Sequence, residues 1–130
     1  MPQSLFLIFN HRFTAAQQTD ARDTLGIDAI VSLPEDLQAL WSQVPPDLPD
    51  LASYLHPLMK WLVPTAQADD YALIQGDFGA TYLMVRFALE HGLIPIYATS
   101  RRLAQEEHQA DGTVKLTHHF RHQNFRRYGV

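Results

Sequence analysis

The chain contains no cysteine. That absence excludes a disulfide framework, a thiolate zinc site, a thiol nucleophile and an iron–sulfur cluster. Long apolar runs are missing too. Leu5–Phe9 is one of the longest, far short of the roughly 18–20 residues a membrane-spanning helix needs. The first residues carry neither a basic cluster nor an extended apolar stretch, so no secretory signal is expected and the chain reads as cytoplasmic. Charge is sparse: 18% of the 130 residues are charged against 46% hydrophobic. That balance excludes a disordered chain and suits one globular domain, residues 1–130, with a core of its own.

Basic charge is scarce in most of the chain. The formal net charge is -4, which argues against a partner such as long DNA or RNA. The sum hides an asymmetry. Residues 1–100 hold 4 basic and 11 acidic side chains, whereas residues 101–130 hold 6 basic and 3 acidic ones and 4 of the 7 histidines. An anion-binding surface is therefore sought first in the C-terminal segment.

Leu5–Phe9 is too short for a helix and suits a strand covered on both faces. Thr14 with Gln17 reads as a capping box opening a helix to about Leu25, which Gly26 stops. Ala29–Leu33 predicts a second strand, and Pro34-Glu35-Asp36 the first turn of a helix continuing through Leu37, Leu40 and Trp41. The prolines between Pro45 and Pro49 make a stiff connector. Leu51 to Leu62 returns at helical spacing, with a kink or break expected at Pro57. Tyr71–Gln75 predicts a third strand and Phe78–Glu90 the strongest helix, ended by His91-Gly92. Leu93–Tyr97 predicts a fourth strand, with Pro95 at its start, a bulge or an edge. Arg101–His108, a turn at Asp111-Gly112 and the alternating Thr113–His122 predict a hairpin. Val114, Leu116, His118 and Phe120 share one face, and Lys115, Thr117, His119 and Arg121 the other. The fold class is an open α/β sandwich: a Rossmann-like, mostly parallel sheet flanked by helices, with a C-terminal β-hairpin.

Ligands of such sheets bind beyond the C-terminal strand ends. Three ends are candidates: Asn10-His11-Arg12, Gln75 to Thr81, and Thr99-Ser100-Arg101-Arg102. In the second, Gly76 and Gly79 let a backbone approach an anion, with Phe78 between them, and Thr81 adds a hydroxyl. The competing reading is a tight turn with Asp77 capping the helix, and Asp77 itself suits capping better than phosphate contact. His11 can position a hydroxyl or move a proton; alternatively it is an ordinary loop histidine. Arg12 and Arg101 match phosphate oxygens. Lys115, His119 and Arg121 form a basic stripe that Phe125-Arg126-Arg127-Tyr128 continues with aromatics suited to base stacking, or else a solvated face with a packed tail. No metal-ligand spacing stands out, because adjacent His118 and His119 face opposite ways.

These elements also resemble a known family. They are Leu5–Phe9 with Asn10-His11, the Thr14/Gln17 helix start, Leu33-Pro34 before Leu40-Trp41 and Pro45-Pro46, Gln75–Tyr82, Leu93–Thr99, and the closing Phe125–Tyr128. Together they resemble the Csx family numbered twenty, small stand-alone accessory proteins of type III CRISPR systems, over nearly the whole chain. The resemblance implies a compact CARF-like (CRISPR-associated Rossmann) domain, a homodimer, and binding and cleavage of the second messenger cyclic tetra-adenylate. Such a ring nuclease needs no cofactor: a ribose 2′-hydroxyl attacks the adjacent phosphate and leaves a 2′,3′-cyclic phosphate. The resemblance assigns no catalytic residue; from the residue types themselves His11, for positioning or proton transfer, and Arg101, for stabilising charge, are the expected catalytic residues. Asn10, Arg12, Gln75, Gly76, Asp77, Phe78, Gly79, Thr81, Thr99, Ser100, His119 and Arg121 are the expected ligand contacts. The alternative is a sponge or sensor that holds the ligand uncut, or a structural protein with no nucleotide ligand.

Overall fold

The computed structural model describes residues 2–130. Its elements run β1 (Gln3–Phe9), α1 (Ala15–Leu25), β2 (Ile27–Ser32), α2 (Glu35–Ser42), α3 (Ala52–Thr65), β3 (Tyr71–Gln75), α4 (Phe78–Glu90), β4 (Ile94–His108) and β5 (Val114–Arg127). The continuous apolar run of β1 has its explanation in the packing. Phe6 and Ile8 enter one core layer and Leu5 and Phe9 the other, so neither face is left polar. The sheet order is β2-β1-β3-β4-β5. The first four strands are parallel and β5 runs antiparallel to β4. The α/β class, the mostly parallel sheet and the C-terminal hairpin are thus present.

The helices divide unequally. α2, α3 and α4 cover one face through Leu37, Trp41, Leu55, Leu58, Leu62 and Met84. α1 covers the other through Ala21. The sheet curls towards α1 until β5 reaches it. His122 Nε2 lies 2.8 Å from Asp20 Oδ2, and Phe125 stacks on Phe13 with ring centroids 6.3 Å apart.

Local signals set the element ends. Thr14 and Gln17 form the reciprocal capping box, and Gly26 closes α1 in the left-handed conformation at φ 69°. Two expectations are narrowed by the structure. α3 runs through Pro57 without a break. Pro57 lies on the exposed side, where the Ser53 carbonyl that loses its helical donor meets water instead. The fourth strand does not stop near Tyr97 but continues as one 15-residue strand into the hairpin, and β5 likewise extends past His122 to Arg127. The Phe125–Tyr128 tail is therefore mostly strand rather than a separate segment.

At the opposite end of the sheet, Asp70 is buried to 6% exposure. Its two oxygens accept from the Ser4 and Gln67 amides at 3.0 and 2.9 Å. Each buried amide left without an acceptor costs about 1–3 kcal/mol. We expect Asp70→Ala to destabilise the domain by about 2–4 kcal/mol in urea unfolding. A loss under about 0.5 kcal/mol, the scatter of neutral surface changes, would show that this carboxylate does not join β1 to β3.

Candidate functional site

From β1 the chain first builds β2 on one side, then crosses to build β3 on the other. Between β1 and β3 the winding reverses, which opens a crevice at the C-terminal strand ends. A second opening lies next to it. β3 and β4 pair only from Tyr71/Ile94 to Leu73/Ile96, and beyond that they part. Gln75 spans the gap: its Oε1 accepts the Ala98 amide at 2.8 Å. Its own carbonyl accepts from Trp41 Nε1 at 3.0 Å. The next residue has to be glycine, because a Cβ on Gly76 would stand 2.8 Å from the Trp41 indole. Trp41 is buried to 1% exposure, so α2 fixes the height and angle of the β3–α4 turn.

Cavities open on either side of Gln75. On the α1 side, His11, Arg12, Gln75, Thr99 and Ser100 meet around about 280 Å³, with Phe9, Phe120 and His122 completing the wall. On the α4 side, Gln75, Gly76, Phe78, Thr81, Tyr97 and Tyr128 enclose about 260 Å³. Phe78 is 95% exposed at that mouth, and the buried Thr81 hydroxyl has no hydrogen-bond partner among the described residues. The Tyr97 and Tyr128 rings lie 4.8 Å apart. Burial and then the neighbouring Tyr97 push the Tyr128 phenol above its ordinary pKa, so it stays a donor, bonded to the Ile74 carbonyl.

The other sequence-derived candidates are distributed as follows. Asn10 lies outside both walls, its Oδ1 accepting from Ser42. Asp77 caps α4 by accepting the Ala80 amide at 3.0 Å. The space beside Gly79 is filled by Leu51, 3.3 Å from where a Cβ would stand. The Thr99 hydroxyl is held by Asn124 at a bulge in the β4–β5 ladder. Arg101 and Arg121 are direct cross-strand partners. His119 and Arg121 line a hollow between the hairpin and the start of α1. Phe125 and Tyr128 pack into the fold, and the Arg126 guanidinium lies over the Tyr97 ring at 5.4 Å.

Tyr97, Phe120 and His122 line the cavities without having been singled out as site residues. For Phe120 and His122 the bulge is the reason. It sets Thr99 against Asn124 but Ser100 against His122, a shift that alternation within one strand does not disclose.

The domain is thus of the α/β class, a mostly parallel sheet flanked by helices with a cleft at the C-terminal strand ends. The chain belongs to the Uncharacterized protein MJ1673 family, whose model matches residues 3–126. It is 47% identical over 128 residues to "Uncharacterized protein MJ1673" of Methanocaldococcus jannaschii, covering 98% of each chain. No solved structure matches the chain. No described helix is long and apolar enough to cross a membrane.

The His122–Asp20 contact makes one wall of the α1-side cavity sensitive to acid. Burial raises the Asp20 pKa, but hydrogen bonds from Thr24 and His122 and the His122 charge outweigh it and leave the carboxyl below its ordinary 3.8. A carboxylate with a depressed folded pKa contributes stability that is present above the unfolded value and lost as pH falls through the folded one. Asp20→Asn should therefore flatten the acid limb of the stability–pH curve below about pH 4. An unchanged acid slope would contradict the pairing.

Proposed function

We propose that this protein is a homodimeric ring nuclease that binds and cleaves cyclic tetra-adenylate in type III CRISPR signalling in the cytoplasm. The observation that carries the reading is the convergence of three strand ends. His11 and Arg12 follow β1, Gln75 ends β3, and Thr99 and Ser100 lie in β4, yet all five line one cavity. The resemblance set out above supplies the ligand, and the geometry supports it with two unlike compartments. The α1-side cavity carries the imidazole, guanidinium and hydroxyl groups that suit phosphate and ribose. The α4-side cavity carries Phe78, Tyr97 and Tyr128, aromatic faces that suit an adenine.

The reaction is a transesterification. The ribose 2′-oxygen attacks the adjacent phosphorus, its proton leaves to a base, the bond to the 5′-oxygen breaks, and that oxygen takes up a proton. Products are a linear oligoadenylate with a 2′,3′-cyclic phosphate and a 5′-hydroxyl. Alignment of the 2′-oxygen opposite the leaving oxygen is the largest demand. In this reading His11 holds or moves the proton. Arg12 stabilises charge on the non-bridging oxygens from the cavity wall, whereas Arg101 lines neither cavity and adds positive charge from the adjoining ladder. The Arg101–Arg121 pair supports a nearby anion, since like charges directly opposite on a ladder repel until something negative lies beside them.

Incubation with cyclic tetra-adenylate in excess EDTA, followed by product separation, tests this. Linear products ending in 2′,3′-cyclic phosphate are expected. Tight binding with the ring released intact would make the protein a sponge or sensor. A flat calorimetric trace would remove the nucleotide ligand altogether. His11→Ala should lower single-turnover cleavage about 100-fold while affinity changes only a few-fold. Unchanged cleavage would remove His11 from the mechanism.

A further inference from the structure

The outer part of the hairpin extends past the domain's helices, with the start of α1 facing only its lower part across a hollow. From Ser100 to Arg121 every residue except the half-buried Thr117 is exposed. A two-stranded ribbon without a third layer is only marginally stable in water. This one also leaves Leu116 at 56% and Phe120 at 72% exposure. Those two side chains share a face. On it the ladder sets Arg102 opposite Phe120, Ala104 opposite His118, and Glu106 opposite Leu116. From base to tip the face therefore changes from basic and aromatic, through a small residue, to acidic and aliphatic.

Such a face is complementary to itself. A two-fold axis through the Ala104–His118 pair sets Arg102 over the partner's Glu106, and Phe120 over the partner's Leu116. At the centre Ala104 meets the partner's Ala104 and His118 meets the partner's His118, so the imidazoles set the spacing there. Arg102 makes no ion pair among the described residues, and Glu106 meets only His108, at 4.0 Å. Within one chain Arg102 and Glu106 are four strand residues apart, roughly 13 Å, so they do not pair with each other. An isologous contact between two arms pairs both charges twice.

We propose that this face of the β4–β5 arm is the homodimer interface, its occupant being the arm of a second copy in antiparallel array. The inference rests on the dimer of the reading above but not on its nuclease activity. It also sets the partner's arm beside Phe120, which lines the α1-side cavity, so the second copy borders the site of each protomer.

Sedimentation of the full chain over a range of concentrations tests it, using Arg102→Glu, Glu106→Arg and the double reversal. Each single reversal opposes like charges twice and should raise the dimer dissociation constant about tenfold or more. The double reversal should return it to within about threefold of the wild type, and so should an equimolar mixture of the two single variants. Recovery in the mixture cannot come from misfolded chains. A wild type that stays monomeric at about 1 mM, the weak limit of specific association, would overturn both the dimer and the arm contact. A wild-type dimer that neither reversal weakens would overturn the arm contact alone. Weakened singles with no recovery in the double reversal or the mixture would overturn the two-fold register proposed here.

Discussion

The candidate site depends on one hydrogen bond, from the Ala98 amide to the Gln75 side chain. Parallel strands that stayed paired to their ends would close the edge of the sheet. Here β3 and β4 stop pairing at Leu73 and Ile96, and the Gln75 amide group holds them at a fixed separation instead. The exposed polar backbone of a splayed strand is satisfied without filling the gap. Trp41 then holds Gln75 from below through its carbonyl, and the indole leaves room for nothing larger than glycine at 76. The chain from α2 to β4 is thus a single support, and two cavities of similar size lie on its two sides.

That arrangement separates chemistry by face. Side chains alternate across a strand, so Gln75 projects to the α1 side while Tyr97 projects to the α4 side. Polar and cationic groups from the β1 and β4 ends gather on the first side, and aromatic rings gather on the second. A ligand with alternating phosphates and bases fits such a division better than one of uniform polarity. The acidic balance of the first 100 residues disfavours long polyanions, whereas the arginines at the base of the arm offer a local positive surface.

Much of the frame was legible because its signals are local. Thr14 and Gln17 cap each other across three residues, Gly26 needs only its own φ, and Asp77 reaches an amide three residues on. Burial of β1 on both faces was legible from its unbroken apolar run. The strand ends carrying His11, Gln75 and Ser100 could also be placed, and they do meet. What was not legible depends on distant pairings. Gly76 lines the α4-side cavity, but its local sequence does not show that Trp41, 35 positions earlier in the chain, occupies the space where a Cβ would stand. Asn10 and Thr99 have distant partners, Ser42 and Asn124, although Thr99 still lines the α1-side cavity. The bulge that brings His122 opposite Ser100 is a property of two strands and shows in neither alone.

The central claim is that a cyclic nucleotide occupies the cleft around Gln75, and amide chemical-shift mapping tests it most directly. Titration with cyclic tetra-adenylate is expected to move the amides of His11, Arg12, Gly76, Phe78, Thr99 and Ser100 together and saturably. Those around Asp70 at the far end of the sheet should stay in place. Saturable shifts confined to other surfaces, or no shifts at millimolar ligand, would contradict it.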